Sequence, residues 1–255
     1  MTPAPRERVA PTVVTSAQVR RLVANATDEW LRWGGRVALV TPAQPACLVR
    51  PEGDCVLVDD GCGDEQAAAL CPVVDEYWQA VPPGHPRHGC AQVDVCAVQW
   101  PSDARLEPEN TPPWSAVFVG AMLMKSGFSA REFRPTRSHA GYIVAAREGY
   151  ASAFEVLPTP VVPRVGDIVC ATRGDTRLRP GETDRILDGE QSQPLHCDIV
   201  VDVDPVGGWA YAIGGNVQQT VALNEVQLDA QGQLSYDMAP ARPWILVLRP
   251  RRLAP

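Results

Sequence analysis

Three polar residues, far apart in the chain, have the types needed for acyl transfer. Ser115 stands at the start of the apolar stretch TPPWSAVFVGAMLMKSG, residues 111–127, where two prolines predict that a helix begins. His196 opens a predicted strand after a long polar loop, and Asn216 follows two glycines that are predicted to end another strand. A hydroxyl nucleophile, an imidazole base and an amide that orients the imidazole are the parts of a catalytic triad.

Each of these residues also has an ordinary structural explanation. A serine at a helix start is more often a cap, and the stretch by itself favours that role for Ser115. The helix dipole favours a developing anion by about 0.3–2 kcal/mol, which is too little to activate an alcohol without a base. His196 can equally be a structural histidine, and Asn216 can be a hydrogen-bonding turn residue.

Three further residues are auxiliary candidates for the same site. Trp114 directly precedes Ser115, and His139 opens the predicted helix SHAGYIVAAREG. Asp198 shares a strand face with His196 in HCDIVVDVD, two residues along, and is the alternative orienting group. The other two of the four histidines lie in the loop PPGHPRHGC and are interpreted as solvated.

The elements that must position these residues change character along the chain. TSAQVRRLVANATDEWLRWGG has helical spacing, with Thr15 and Gln18 in a capping-box pattern, and helices are also predicted at 113–126 and after Ser138. The second half predicts strands in GDIVCAT (166–172), HCDIVVDVD (196–204), GWAYAIGG (208–215), QTVAL (219–223) and PWILVLR (243–249). Helices followed by consecutive antiparallel strands indicate an α+β fold.

The domain organisation is expected to be simple. Residues 1–14 are predicted to be a flexible arm, and residues 15–255 a single domain interrupted by a cysteine-rich insertion at about 41–110. A chain of 255 residues is long enough to bury a large core. Within the insertion, VVDEYWQAV predicts a short helix.

Six of the eight cysteines fall in this insertion, at Cys47, Cys55, Cys62, Cys71, Cys90 and Cys96. They form no C-x-x-C pair, so neither a structural zinc site nor any other metal is expected. A dense, even set predicts at least two disulfides, and the alternative is scattered buried thiols. For Cys170 and Cys197, expected on neighbouring strands, two buried thiols are favoured and a disulfide is the alternative.

Charge and hydropathy restrict the classes of partner. The net charge of −7 argues against a nucleic-acid partner. No apolar run is long enough to span a bilayer, and the opening MTPAPRERVAPTVV lacks the apolar core of an export signal. Disulfides without a visible leader predict a secreted or periplasmic protein, either trimmed of its leader or delivered by a non-classical route.

Four motifs resemble those of the papain-like amidases of bacterial cell walls, the NlpC and CHAP groups, and occur in the same order. They are WSAVFV (114–119), GDIVC (166–170), HCDIVV (196–201) and IGGNV (213–217). In that family a cysteine opens the central helix, a histidine strand carries the base, and G-G-N-Q follows in one branch. The chain most resembles an uncharacterised bacterial branch, domain-of-unknown-function family 2272, in which serine is expected in PWSA. The resemblance covers residues 15–40 loosely and 111–250 well, and it leaves the insertion outside.

The resemblance implies a papain-like fold, with N-terminal helices packed on an antiparallel sheet. It places Ser115 at the cysteine nucleophile, His196 at the base and Asn216 at the orienting residue. The implied activity is hydrolysis of an amide bond in peptidoglycan, without a cofactor. The sequence departs from the family pattern by having serine at the nucleophile position. It leaves open whether Ser115 is a working nucleophile, a relic of lost catalysis or an inactivating substitution.

The predicted disulfides and the missing leader favour an antibacterial toxin delivered into the periplasm of a rival cell, for instance by a type VI secretion system. Its partners would be peptidoglycan or peptidoglycan fragments, and an immunity protein. Two other functions stay open at this point. One is a catalytically inactive papain-like binding module, and the other is a lipid esterase or acyltransferase on the same scaffold.

Overall fold

A computed structural model of the chain describes residues 8–39, 47–49, 55–57, 69–81, 113–174, 176–187, 189, 192–239 and 242–252. In these ranges the helices are α1 (Ser16–Arg32), α2 (Cys71–Trp78), α3 (Ser115–Lys125) and α4 (His139–Arg147). The strands are β1 (Arg36–Leu39), β2 (Cys47–Val49), β3 (Cys55–Leu57), β4 (Phe154–Pro158), β5 (Ile168–Thr172), β6 (Leu195–Asp204), β7 (Trp209–Val217), β8 (Thr220–Gln227) and β9 (Trp244–Pro250).

The nine strands join one sheet in the order β3-β2-β1-β8-β7-β6-β5-β9-β4. With the helices packed on it, the sheet confirms the predicted α+β class. Neighbouring strands are antiparallel except β1 and β8, which run parallel. The sheet is therefore mixed, whereas an antiparallel sheet was expected. β1 and β8 are distant in sequence, so no hairpin sets their relative direction.

The five strands predicted in the second half of the chain correspond to β5–β9. The largest difference is at the end of β8, which was predicted at 223 and lies at Gln227. The four remaining strands, β1–β4, were not predicted. Three of them have four residues or fewer, and β4 is a short edge strand that ends in a proline, so none carries a long alternating pattern.

Helix α3 forms the centre of the core. Its residues 115–123 are all buried, as its apolar character on every side predicted. The helix lies against α1, α2, β6 and β7. The residue with the potential nucleophile is therefore held at the start of a helix whose first nine residues are all buried. No helix in the described ranges is both long enough and apolar enough to cross a membrane.

The N-terminal segment before α1 is docked on the domain where the structure describes it, although a flexible arm was expected. The backbone N–H of Val9 donates to Gly149, that of Thr12 to Ser152 and that of Val14 to Arg251. Carbonyls beyond α4 and β9 thus pair with residues 9–14. The capping box that starts α1 is present as predicted.

A disulfide joins Cys170 of β5 to Cys197 of β6 with an S–S distance of 2.12 Å, where two buried thiols were predicted. The prediction was wrong because the two residues are direct cross-strand partners, and their Cα atoms are only 4.1 Å apart. The six cysteines of the insertion have side chains outside the described residues. The disulfides expected among them stay a prediction.

Candidate active site

Ser115 is the first residue of α3, and it does not cap the helix. The N-cap is Trp114, and no side chain caps the helix there. Trp114 is fully buried, with its ring stacked on that of Trp33 at 5.2 Å and tilted against that of Tyr77 at 5.7 Å. This aromatic cluster holds the start of α3 in place, and the Ser115 hydroxyl is left to bond elsewhere.

The hydroxyl of Ser115 bonds to His139, the first residue of α4. Its Oγ lies 2.7 Å from Nε2, and Nδ1 of the same ring is hydrogen-bonded to the hydroxyl of Tyr142. The exposed fractions of Ser115, His139 and Tyr142 are 3%, 5% and 1%. The expected partner of this hydroxyl was His196, and the structure shows a hydrogen bond to His139 instead, because the first turn of α4 reaches the N-terminus of α3.

Either neutral tautomer of His139 is compatible with these two hydrogen bonds, because Ser115, His139 and Tyr142 each carry one polar hydrogen. With the proton on Nδ1, Ser115 donates to Nε2 and the Tyr142 oxygen accepts from Nδ1. With the proton on Nε2, Tyr142 donates to Nδ1 and Ser115 accepts. Burial raises the pKa of Tyr142 well above its usual value, so its hydroxyl keeps the proton in both. Only the first tautomer makes His139 a base toward Ser115.

His139 is neutral in the folded protein. Burial is the largest cause, and the repulsion that two protonated rings, His139 and His196, would exert on each other is the next; together they hold the pKa of His139 well below its ordinary value of 6.5. Its place in the first turn of α4 acts in the same direction, because the positive end of the helix dipole disfavours a cation. A neutral imidazole next to a hydroxyl can accept the proton of that hydroxyl.

His196 and Asp198 form a second pair beside the first. The His196 ring lies 5.5 Å from the His139 ring, centroid to centroid, and its Nε2 is 2.8 Å from Oδ1 of Asp198. The two atoms are close enough to attract each other, although neither has a hydrogen-bond partner of good geometry among the described residues. Burial lowers the pKa of His196 and outweighs the attraction of Asp198.

The Asp198 carboxylate is fully buried and held from its other side. Its Oδ2 accepts from Nη2 of Arg242 at 2.8 Å and from Nδ2 of Asn224 at 3.2 Å. Burial opposes ionisation, but the charge of Arg242 and the interaction with the His196 ring outweigh it, so the pKa of Asp198 is lowered. A fixed negative charge therefore lies close to both histidines.

The two glycines of IGGNV explain how these groups come so close. They were predicted to end a strand, but both lie inside β7. A Cβ on Gly214 would stand 1.8 Å from Oδ1 of Asp198, and a Cβ on Gly215 would stand 2.5 Å from Cβ of Phe118 in α3. One glycine makes room for the His196–Asp198 pair on one face of the sheet, and the other makes room for α3 on the opposite face.

Asn216, the predicted orienting residue, lies in β7 with a backbone φ of 54° and is half-buried. Of the two candidate orienting residues, Asp198 is the one in contact with His196. A role for Asn216 in holding the ring stays a prediction.

Three residues of the site were not singled out from the sequence. Tyr142 could have been found, because it follows His139 by three residues on one helix and therefore shares its face. Asn224 and Arg242 had no local signal, since they meet Asp198 from separate strands or loops. Among the residues that the structure describes, no group of three or more His, Cys, Asp or Glu side chains could hold a metal ion.

Comparison with known proteins finds one family. A family model described as "Uncharacterized protein conserved in bacteria (DUF2272)" matches residues 65–250, a range that contains both histidine pairs and Ser115. The match begins inside the cysteine-rich insertion, which the resemblance had left outside, and omits residues 15–40. No curated protein and no solved structure matches the chain.

Proposed function

The chain belongs to the bacterial family DUF2272, and we propose that it is a serine-dependent hydrolase that cleaves an amide bond in bacterial peptidoglycan. The observation that carries the proposal is the 2.7 Å hydrogen bond between Ser115 at a helix N-terminus and the neutral ring of His139. The amide and the peptidoglycan come from the resemblance of the four motifs to cell-wall amidases. A papain-like arrangement is part of the same proposal.

The proposed reaction starts with His139 protonated on Nδ1. Ser115 attacks the amide carbonyl carbon, and its proton passes to Nε2 of His139 while the Tyr142 oxygen holds Nδ1–H. His139 then gives that proton to the leaving amine, which departs and leaves an ester on Ser115. Water attacks the ester, again with His139 as base, and releases a carboxylic acid and the free serine.

The start of α3 supplies a place for the oxyanion. The first N–H groups of a helix have no acceptor within it, and the first internal bond of α3 runs from Phe118 to Trp114. The side chain of the N-cap residue does not bond to this end, and the N–H groups of Ser115, Ala116 and Val117 are the proposed donors to an oxygen that becomes negative.

His196 and Asp198 act in this scheme through charge. When His139 takes the proton it becomes a cation in a buried place that disfavours cations. The attraction of Asp198 opposes this and raises the pKa of His139 against the effect of burial. We therefore assign His139 as the base in contact with Ser115, and the Asp198 carboxylate as the group that stabilises protonated His139 against the effects of burial and of the His196 ring.

A digestion experiment tests the proposal. Purified peptidoglycan is incubated separately with the wild type, Ser115→Ala and Ser115→Cys, and the masses of the products are measured by mass spectrometry. We expect the wild type and the cysteine variant to cleave, since cysteine is the nucleophile of the cell-wall amidases that the chain resembles. Each cut bond should add the mass of one water to the products. Equal cleavage by Ser115→Ala would rule out Ser115 as nucleophile. A parallel digest of phospholipid vesicles tests the lipid esterase or acyltransferase alternative.

Burial of the site favours a second candidate, a binding module without catalysis. Ser115 and both histidines are at most 5% exposed, so a substrate needs a conformational opening to reach the hydroxyl. In that case the wild type and Ser115→Ala would bind peptidoglycan fragments with equal affinity in a titration, and no product mass would appear with either.

We further propose that the protein acts in the periplasm as a secreted antibacterial effector, with an immunity protein that blocks it. Periplasmic expression of the wild type should lyse cells, and expression of Ser115→Ala should not. Lysis that is independent of Ser115, or no lysis in either case, would count against this role.

A further inference from the structure

A surface hollow of about 700 Å³ lies apart from the serine site. Its walls come from the N-terminal segment, from the loop after α3 and from the turn after α4. The lining residues are Arg8, Val9, Ala10, Thr12, Ala130, Arg131, Arg134, Tyr150 and Ser152. His139 is the first residue of α4, and the loop that lines the hollow follows the last residue of that helix. About 12 Å of helix therefore separates the hollow from the site.

Backbone and side-chain hydrogen bonds fix the walls of the hollow. The Val9 and Thr12 N–H groups pair with carbonyls of the turn after α4. The hydroxyls of Thr12 and Ser152 are 2.7 Å apart, and Ser152 also donates to the carbonyl of Arg131 at 3.2 Å. The stem of Arg8 lies over Gly149, with its Cγ 3.9 Å from where a Cβ would be. The concavity is thus built from docked segments.

Three arginines line this concavity. Arg8, Arg131 and Arg134 make no ion pair with any acid among the described residues, whereas the neighbouring Arg147 is paired with Glu148 at 3.0 Å. The chain as a whole has a net charge of −7, so a hollow lined by three arginines and by no acidic residue stands out from the rest of the chain. Such a place attracts anions and holds them through guanidinium forks.

We propose that this hollow binds a phosphate-bearing anion. A single carboxylate carries one negative charge and would leave two of the three guanidinium groups uncompensated. A phosphate ester or a diphosphate carries two or three charges and offers several acceptor oxygens, which match three arginines better. Val9, Ala10 and Ala130 add apolar wall against which the carbon part of an ester can pack.

The test is a calorimetric titration of the full-length protein with inorganic pyrophosphate. We expect saturable binding that weakens with added salt, because exposed charges are screened. Arg134→Ala should weaken the affinity about tenfold, the usual scale of a lost charge-assisted hydrogen bond. Arg20→Ala is the matched control, since it removes one charge from an exposed position on α1, and it should change the affinity less than about twofold.

Three outcomes would overturn the proposal: no saturable binding by the wild type, equal loss of affinity in both variants, or succinate binding as tightly as pyrophosphate. Arg131→Ala provides a second test if Arg134→Ala fails to fold, because Arg131 is exposed. Vesicles of phosphatidylcholine with phosphatidic acid distinguish the source of the phosphate. Binding to them that depends on Arg134 assigns a lipid headgroup, and binding of pyrophosphate alone assigns a soluble phosphate.

Discussion

The side-chain oxygen of Ser115 lies 2.7 Å from Nε2 of His139, and each of the two residues is the first of its helix. Two helix N-termini, each with a partial positive charge, therefore meet at this hydrogen bond. That environment disfavours a protonated imidazole and favours a negative oxygen. The resting pair is neutral, and any reaction that protonates His139 depends on the nearby Asp198 carboxylate to offset the cost.

Tyr142→Phe removes the oxygen that holds Nδ1 of His139 and keeps the buried ring. We expect peptidoglycan cleavage to slow by about ten- to a hundredfold, because His139 then loses the group that orients it and stabilises its Nδ1–H. The free energy of unfolding should fall by about 1–3 kcal/mol, the cost of a buried unpartnered group. The pH–rate profile of the folded variant separates the two effects, since a merely structural role would leave its shape unchanged. Tyr211→Phe, a half-buried tyrosine of β7, is the control.

Stability should fall as the solution becomes acidic below pH 6.5. The pKa values of His139 and His196 are both lowered in the folded state, so below 6.5 the unfolded chain binds more protons than the folded one. The stabilising effect is complete above pH 6.5 and is lost as the pH falls toward the folded pKa values. The slope should reach about 1.4 kcal/mol per pH unit for each histidine.

Urea denaturation at a series of pH values measures this slope. The variants His139→Gln and His196→Gln should each flatten the curve. A wild-type curve that stays level between pH 7 and pH 5 would contradict the assignment of two neutral buried histidines.

Arg242→Met should lower the free energy of unfolding, because it leaves the buried Asp198 carboxylate without its cationic partner. Without the 2.8 Å ion pair the charge keeps only Asn224 and His196 as partners, and the free energy of unfolding should fall by about 3–5 kcal/mol. The loss should shrink at low pH, since removing Arg242 raises the pKa of Asp198 and protonation then removes the charge. Arg185→Met, which breaks an exposed ion pair, should cost less than about 1 kcal/mol.

Gly214→Ala should be poorly tolerated, because its Cβ would overlap the Asp198 carboxylate that Arg242 holds in place. We expect a loss of about 1–3 kcal/mol in the free energy of unfolding, typical of overpacking, together with loss of cleavage. Gly181→Ala is the matched control, since nothing lies within 4 Å of its Cβ. Chemical denaturation of both variants gives the comparison, and equal stabilities would refute the crowding around Asp198.

The disulfide between Cys170 and Cys197 should stabilise the sheet beside the site. It closes a loop with a sequence separation of 27, which corresponds to about 3.5 kcal/mol of chain entropy in the unfolded state. The double variant Cys170→Ala, Cys197→Ala should lose about that amount in urea denaturation. Alkylation of the denatured, unreduced protein checks the bond directly, because labelling of both cysteines would show that it is absent.

The sequence by itself determined the elements whose signals are local. Hydrophobic spacing and caps predicted α1, α3 and α4, and alternating segments predicted β5–β9, because these patterns depend on residues a few positions apart. The all-round apolar character of α3 predicted its burial. Residue types and their positions in the predicted elements selected Ser115, His196 and Asn216 as candidates for chemistry, with His139 and Asp198 as auxiliary candidates.

Only the tertiary structure decided which candidates touch. Ser115 bonds to His139 across 24 residues and Asp198 to Arg242 across 44, and both contacts depend on which helix ends and strand ends face each other. The same holds for Cys170 and Cys197, which meet because β5 and β6 pair in one register. A slip of one residue would have turned one cysteine to the opposite face, and no local pattern encodes that choice.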